Sequence, residues 1–246
     1  FPGKVINPII TGKFISSGIR KTKTDKTDAV LLAKIGILEP ALTDYSDDEK
    51  QLRLRRFSKT IAGLKSERRI MIQKINHLKY LGGAGTPEVV QSLKNVVKVL
   101  DQEIKKLTKK LIRLTSPDAV TVSSIPGVGK ELASLIVAEL GDVTRFAGKG
   151  QAVAFSGLDP TVRESGASLR GKSHISKRGS SVLRHVLFQG AWGLMMHNPR
   201  YRAFYEKKKA EGKHYFAILC ALARKLLILI YTMLKNHTLY DPIKFT

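Results

Sequence analysis

The sequence is short of cysteine and of acidic residues. A single cysteine, Cys220, stands among 246 residues, which excludes a disulfide framework and a cysteine-based zinc site and suits a reducing compartment. Its apolar surroundings predict a small core residue. Asp and Glu number 20 against 43 Lys and Arg, and the net charge is +23. Because 43% of the residues are hydrophobic, the chain is no disordered basic tail. Its charge belongs to a folded surface, and a nucleic acid is the expected partner.

The sequence also lacks a long uninterrupted apolar run. Its most apolar stretch, Tyr215 to Leu234, is broken near the centre by Arg224 and Lys225, where a membrane span tolerates charge least. We therefore predict a buried helix and no membrane partner. The chain begins with Phe1 and shows no signal-peptide pattern. We expect a piece of a longer protein that works in the cytoplasm of a bacterial or archaeal cell.

Apolar residues at alternating spacings of three and four predict two long helices. The pattern comprises Leu54, Phe57, Ile61, Leu64, Met71, Ile75 and Leu78, with Arg68 as its exception, and then Val90, Leu93, Val97, Leu100, Ile104, Leu107, Leu111 and Leu114. A glycine-rich segment, residues 82–87, separates the two runs. Together they predict an antiparallel coiled-coil hairpin over residues 43–116. The seams either pack only on each other or also pair with a second copy of the chain, which gives a homo-oligomer.

The fold class expected is mainly α, in three parts. Residues 1–42 hold a short strand at 5–10 and a helix from Asp25 that Gly36 ends, which is only part of a domain. The hairpin follows, and residues 117–246 form a compact, mostly helical domain. Helices are predicted there at 131–140, 182–196, 199–212 and 215–234, with a short element at 151–158.

The turn Ile125-Pro126-Gly127-Val128-Gly129 is typical of a helix-hairpin-helix element. Gly127 and Gly129 let the backbone approach a phosphate, the next helix points its N-H groups at the same place, and Lys130 adds charge. This pattern predicts contact with a sugar-phosphate backbone without sequence preference. The alternative is a tight turn between helices with nothing bound.

Asp25 and Asp28 stand three residues apart at the start of a predicted helix, and therefore on one face. Two neighbouring carboxylates repel each other unless a cation lies between them, and hard oxygen ligands suit Mg²⁺. The alternative is that they only cap the helix and complement its dipole.

A basic loop runs from Arg163 to Arg184, into the start of the helix at 182–196. Its candidate nucleic-acid ligands are Arg163, Arg170, Lys172, Lys177, Arg178 and Arg184. Ser176 lies among them near a helix start, where it either binds a phosphate or attacks one as a nucleophile. Ser180 or Ser181 is predicted to be the N-cap. His174 and His185 are candidate proton carriers or phosphate contacts.

Three motifs occur in one order along the chain. They are Lys23-Thr24-Asp25-x-x-Asp28-Ala29, the turn at 125–129, and Ile175-Ser176-Lys177-Arg178-Gly179 followed by Leu183-Arg184. In this order the sequence resembles DEDD-type insertion-sequence transposases, the bridge-RNA-guided serine recombinases that also include the pilin-gene invertase. The resemblance covers essentially the full length.

The resemblance implies a RuvC-like, RNase H-type domain, of which residues 1–42 are the C-terminal remnant, joined through a coiled coil to a helical transposase domain. It implies four acids that hold Mg²⁺, a serine that forms a covalent phosphoserine with DNA, and a structured guide RNA. On matching positions, Asp25 and Asp28 are the third and fourth acids and Ser176 is the nucleophile. The other two acids lie upstream of Phe1 in the family, so we expect this chain to bind nucleic acid and to be catalytically inactive.

The leading hypothesis is therefore a DNA transposase or recombinase that acts by transesterification. The alternative is a non-enzymatic, structure-selective nucleic-acid-binding protein, which composition and periodicity support equally well. The acidic pair and the serine in a basic loop favour the enzyme, since binding alone requires neither. A coiled-coil interaction protein, a third class, leaves the net charge of +23 unexplained.

Overall fold

The computed structural model describes residues 24–38, 48–161 and 174–242, and the chain divides into two compact units, residues 1–49 and 50–246. The prediction of a mainly α chain is confirmed for the described residues. In chain order these contain α1 (Asp25–Leu38), α2 (Glu49–Leu81), α3 (Thr86–Thr115), α4 (Asp118–Ser123), α5 (Lys130–Leu140), a 3-10 turn (Val143–Arg145), α6 (Lys149–Ser156), β1 (Pro160–Thr161), β2 (His174–Ile175), α7 (Ser181–His197), α8 (Pro199–Ala210) and α9 (Tyr215–Asn236). The strand predicted at 5–10 lies outside the described residues.

In the first unit, Thr24 caps α1. The Thr27 amide donates to Thr24 Oγ1 at 3.2 Å, and the Thr24 amide donates to Thr27 Oγ1 at 3.0 Å, so two amides at the helix start are satisfied. The prediction that Gly36 ends this helix is wrong, because α1 continues to Leu38. A glycine inside a helix weakens it by about 1 kcal/mol, which does not by itself end it. Whether this unit is a RuvC-like remnant stays a prediction.

The two long helices predicted from the heptad pattern are present as α2 and α3. Gly82, Gly83 and Gly85 connect them with φ angles of 64°, 105° and 76°, a backbone conformation that glycine adopts without strain. Side-chain contacts join the helices in antiparallel order: Arg68 Nε lies 2.5 Å from Asp101 Oδ1, and Lys110 Nζ lies 5.5 Å from the ring centre of Phe57.

Burial along this hairpin is uneven. Ile75 and Val90 are buried towards the connecting loop, whereas Val89, Val96 and Val99 of α3 are 50%, 43% and 57% exposed. Packing between α2 and α3 therefore covers only part of their apolar surface. Pairing of the hairpin with a second copy stays a prediction.

The base of the hairpin is part of the core of the second unit. Leu54, Ile61 and Leu111 are buried there, and Gln51 Nε2 donates to the carbonyl of Ala138 in α5 at 2.7 Å. Lys65 forms an ion pair with Glu131 at the start of the same helix. These contacts fix the direction in which the two long helices leave the helical domain.

Helix α9 is the central element of this core, as its apolar sequence predicted. Leu222, Ala223, Leu226, Leu227 and Ile230 are fully buried. The helix is long and apolar enough to cross a membrane, with a mean hydropathy of 2.0, but 61% of that window is buried inside the protein, as in core helices of soluble proteins.

Helix α7 packs against α9 and against the turn between α4 and α5. Gly190 faces α9, where an added Cβ would lie 2.7 Å from Leu226 Cδ2. At Gly127, which has a φ of 84°, an added Cβ would lie 2.3 Å from the Gly193 carbonyl carbon. Glycines therefore allow the backbones to approach more closely than any side chain permits.

Candidate active site and nucleic-acid interface

Ser176 lies at the end of a short backbone ladder. Strands β1 and β2 pair Pro160 with Ile175, and the ladder continues past them: the Ser176 amide donates to the Asp159 carbonyl at 2.8 Å, and the Lys177 amide donates to the Gly157 carbonyl at 3.0 Å. Residues that are 17 positions apart in the sequence are thus held side by side.

The Ser176 hydroxyl has two defined partners. Its Oγ donates a hydrogen bond to Asp159 Oδ1 and accepts one from the Arg178 amide at 3.4 Å. Both Ser176 and Asp159 are half-buried, and Lys177 and Arg178 are exposed. The half-buried hydroxyl therefore lies next in sequence to two exposed cationic residues, and a carboxylate accepts its hydrogen bond.

The turn after Ser176 is fixed by close backbone packing. Lys177 has a φ of 55°, a left-handed conformation that is uncommon for a residue with a side chain. An added Cβ at Gly179 would lie 1.8 Å from the Phe155 carbonyl oxygen at the end of α6. This turn therefore packs directly against the C-terminal end of α6.

Arg184 supports this turn from inside. It was predicted to contact nucleic acid, but it is half-buried, and its Nη1 donates to the carbonyls of Gly179 at 2.7 Å and Ser156 at 3.2 Å. Burial lowers the pKa of its guanidinium. The contacts give Arg184 a structural role that the charge pattern of the sequence did not reveal.

Ser180 is the N-cap of α7, as predicted for Ser180 or Ser181. Its Oγ accepts from the Leu183 amide at 3.1 Å and donates to Glu139 Oε2 at 2.6 Å. Glu139 is 1% exposed, and its Oε1 has no hydrogen-bond partner among the described residues. The Ser180 hydroxyl therefore serves the start of α7 and links it to a buried carboxylate of α5.

Two further arginines gather at Phe155, one turn before Asp159. The guanidinium carbons of Arg55 and Arg145 lie 5.7 and 4.5 Å from the centre of its ring, a cation-π distance. Burial, and then the nearby charge of Arg55, lower the pKa of Arg145. Sequence reasoning missed both residues, because Arg55 lies on the predicted hairpin and Arg145 in a turn without a motif.

Cys220 is half-buried, so the prediction of a small core residue holds only in part. Burial raises the pKa of its thiol, and the charges of Arg224 and Lys177 oppose that rise. Arg224 Nη2 also donates to the Leu158 carbonyl at 2.8 Å. The arginine that interrupts the apolar helix thus holds the residue before Asp159.

The turn predicted to bind phosphate joins α4 to α5. Gly127, Gly129 and Lys130 are exposed, and Gly129 is the N-cap of α5 without a side chain to cap it. Residues 123–129 and His197 line an open depression of about 490 Å³. One side of Gly127 is occupied by its contact with Gly193, so part of its glycine requirement comes from packing. The nucleic-acid contact itself stays a prediction.

Asp25 and Asp28 occupy the first turn of α1, where Asp25 is exposed and Asp28 half-buried. Among the described residues, no group of three or more histidine, cysteine or acidic side chains is placed to hold a metal ion. Two carboxylates fit a Mg²⁺ site that water and substrate phosphates complete. Arg163, Arg170 and Lys172 lie outside the described residues.

His174 and His185 are both exposed, and Ser181 beside the N-cap is exposed as well. His174 is in β2, where its carbonyl accepts a hydrogen bond from Thr161 Oγ1 at 2.8 Å. The described residues show no hydrogen bond from either imidazole to Ser176. The acidic residue at the serine, Asp159, is the partner that the sequence did not identify.

Comparison with known proteins identifies relatives of this region. Residues 119–206 match the profile of the transposase IS116/IS110/IS902 family. The "Insertion element IS110 uncharacterized 43.6 kDa protein" of Streptomyces coelicolor is 30% identical over 162 residues, which are 65% of this chain and 40% of that protein. The "Pilin gene-inverting protein" of Moraxella bovis is 28% identical over 244 residues, which are 96% of this chain and 74% of that protein.

The "Transposase for insertion sequence element IS1111A" of Coxiella burnetii is 32% identical over 145 residues, 57% of this chain and 38% of that protein. The matched region thus spans less than half the length of the Streptomyces and Coxiella relatives. The expected resemblance to insertion-sequence transposases and pilin-gene inverting proteins is confirmed by these matches.

Proposed function

We propose, from the relationship of residues 119–206 to insertion-sequence transposases, that this chain is part of a DNA transposase or recombinase that cuts and rejoins strands by transesterification through Ser176. The observation that carries the proposal is the Ser176 hydroxyl: it is half-buried, hydrogen-bonded to a carboxylate, and next to the exposed Lys177 and Arg178. Binding alone requires the two cations and not the oriented hydroxyl.

In this mechanism Ser176 Oγ attacks the phosphorus of a DNA phosphodiester and a DNA hydroxyl leaves. Lys177 and Arg178 neutralise the phosphate as negative charge develops on it. The phosphoserine keeps the energy of the broken ester, so a second DNA hydroxyl can reverse the step and rejoin a strand. The packed turn at Gly179 positions the backbone that carries the hydroxyl and both cationic residues.

Asp25 and Asp28 are proposed to hold Mg²⁺ together with substrate phosphates and further ligands. A bound Mg²⁺ would supply charge stabilisation at the phosphate oxygens. The carboxylates fit this role because they share the first turn of α1, with no lysine or arginine within ion-pair distance among the described residues.

DNA is the proposed substrate, and a structured guide RNA is a further proposed partner. The net charge of +23 supports binding to the phosphate backbone of nucleic acids. Gly129 and Lys130 at the exposed start of α5 are proposed to contact the sugar-phosphate backbone. A homo-oligomer through α2 and α3 is proposed from the valines that the hairpin leaves exposed.

The proposal is tested by incubating the protein expressed from its complete gene, so that any upstream acids are supplied, with a supercoiled plasmid that carries that gene and the native flanking DNA. After denaturation, a protein-DNA adduct is separated on a gel, and its peptide is identified by mass spectrometry. We expect a nucleotide on the peptide that contains Ser176, and no adduct with Ser176→Ala. Ser181→Ala is the matched control, since Ser181 is exposed at the end of the same segment.

DNA binding by Ser176→Ala should equal that of the wild type, because affinity comes from the cations around the hydroxyl. An adduct that persists in Ser176→Ala would assign the attack to another hydroxyl. Strand exchange without any adduct would overturn the covalent mechanism, and binding without strand exchange or adduct would favour the non-enzymatic alternative.

A further inference from the structure

We propose that Asp159 is the general base of this site, the group that takes the proton from Ser176 as its oxygen attacks phosphorus. This inference rests on the proposed function of Ser176 and adds a second catalytic residue to it. Its basis is the direct hydrogen bond from Ser176 Oγ to Asp159 Oδ1.

The position of Asp159 is fixed by its neighbours on both sides. Its carbonyl accepts the Ser176 amide at 2.8 Å, and the carbonyl of Leu158, which is fully buried, accepts from Arg224 Nε at 3.3 Å and Nη2 at 2.8 Å. A base held in this way meets the hydroxyl in one geometry, which is what proton transfer requires. Thermal motion of a surface loop does not have to bring the two groups together.

Among the described residues, no lysine or arginine lies within ion-pair distance of the Asp159 carboxylate. In that part of the chain the ion pairs within 4 Å join other acids to other bases, and the side-chain hydrogen bond given to Asp159 is that of Ser176. Lys177 and Arg178, which follow Ser176, are exposed. The acid therefore faces the nucleophile, and the cations remain available for the phosphate.

The proposed step moves one proton and exchanges one P–O bond for another. The hydroxyl proton of Ser176 passes to Asp159, the Oγ–P bond forms, and the P–O bond to the leaving DNA oxygen breaks, with that oxygen taking a proton from water. In the second step a DNA hydroxyl attacks the phosphoserine and gives its proton to water. The Oγ–P bond breaks, and Asp159 returns the proton to Ser176.

A purely structural role is the competing explanation, in which Asp159 only closes the turn by accepting the hydrogen bond. Asparagine separates the two, because its amide oxygen accepts the same hydrogen bond but takes up no proton at neutral pH. Asp159→Asn should therefore keep the turn and lose the base. Asp159→Glu keeps a carboxylate and should restore part of the rate.

The test uses a biotinylated fluorophosphonate on the full 246-residue chain, so that no DNA sequence is needed. The probe reacts when a serine oxygen forms a bond to its phosphorus and fluoride leaves. Labelling of Ser176 is followed over time by mass spectrometry. We expect Asp159→Asn to slow it by about 10²-fold, the lower end of the range for general-base catalysis.

Asp118→Asn is the matched control, since it removes one carboxylate from an exposed position in α4 and should leave the labelling rate unchanged. Circular dichroism and the melting temperature check that both variants are folded. Equal labelling of wild type and Asp159→Asn would overturn the proposal, as would labelling of Ser176 no faster than that of Ser181.

Failure of this inference is distinguishable from failure of the proposed function. If Asp159→Asn forms the DNA adduct on Ser176 as fast as the wild type, the recombinase proposal stands and the base is another group. If labelling depends on Asp159 while no DNA adduct forms, the proton transfer stands and the recombinase proposal falls.

Discussion

Replacing Gly127 with alanine should destabilise the second unit more than any other single methyl group added to the turn between α4 and α5. The added Cβ would lie 2.3 Å from both the carbonyl carbon and the carbonyl oxygen of Gly193, which are backbone atoms that cannot rotate away. The φ of 84° at Gly127 adds strain, about 1–2 kcal/mol for a residue with a side chain. Overpacking adds about 1–3 kcal/mol.

The sum, about 2–5 kcal/mol, lowers the melting temperature of a unit of this size by about 5–15 °C. Gly129→Ala is the internal control, because nothing lies within 4 Å of its added Cβ and its φ is −72°. That variant should stay within about 1 kcal/mol of the wild type. Gly193→Ala isolates the clash, since its Cβ would meet the Gly127 carbonyl oxygen at 2.3 Å without a positive φ.

The measurement is unfolding by urea and by heat, followed by circular dichroism. If Gly127→Ala melts within about 2 °C of the wild type, the close approach of the two backbones is not what selects glycine there. Equal losses for Gly127→Ala and Gly129→Ala would instead place the glycine requirement in the turn conformation.

Four further outcomes are expected. Binding to duplex DNA should weaken steeply with salt, with a log-log slope of about −5 if about six phosphates are neutralised, and a flat titration would contradict it. The wild type should form a dimer that sedimentation detects, and Val96→Glu should dissociate it without unfolding the hairpin, because Val96 is 43% exposed. A wild type that is monomeric at tens of micromolar would refute pairing through this face. Without nucleic acid, Asp25 and Asp28 should bind Mg²⁺ only weakly in calorimetry, since two carboxylates leave most of the coordination shell to water, and submillimolar affinity would show that other acids contribute. Burial raises the pKa of the Cys220 thiol, so at mildly alkaline pH its thiolate fraction is smaller than that of a free thiol. Iodoacetamide should therefore label Cys220 more slowly than a free thiol, and the rate should rise as the pH is raised further. Equal labelling rates for Cys220 and a free thiol would contradict the burial.

The sequence predicted the elements that depend on local periodicity or on capping. The heptad spacing identified α2 and α3, and the apolar run identified α9, because each buried face repeats within a few residues. The structure explains why a charged residue, Arg68, interrupts the heptad pattern: Asp101 of the facing helix is its ion-pair partner. The prediction that Gly36 ends α1 was wrong, because a sequence does not distinguish a glycine that ends a helix from one inside the helix.

The candidate site was predicted only in part. Ser176, Lys177 and Arg178 share one motif, so a single stretch of sequence identified them. Asp159 lies before the basic loop, and the β1–β2 pairing brings it next to Ser176. Strands of only two residues are too short for a sequence pattern to predict this pairing. The two carbonyl contacts of Arg184 could not be predicted, because charge alone does not distinguish a surface cation from one that donates to the backbone.

The antiparallel contacts between α2 and α3 restrict how the length of the hairpin can change in evolution or by design. Arg68 meets Asp101 and Phe57 meets Lys110, so residue positions on the two arms are mirrored about the glycine loop. A deletion in one arm alone would shift every partner beyond it. Related hairpins of different length should therefore differ by matched heptads, removed from both helices near the loop. The segments around Leu54 and Leu111 should keep their length, because they complete the domain core.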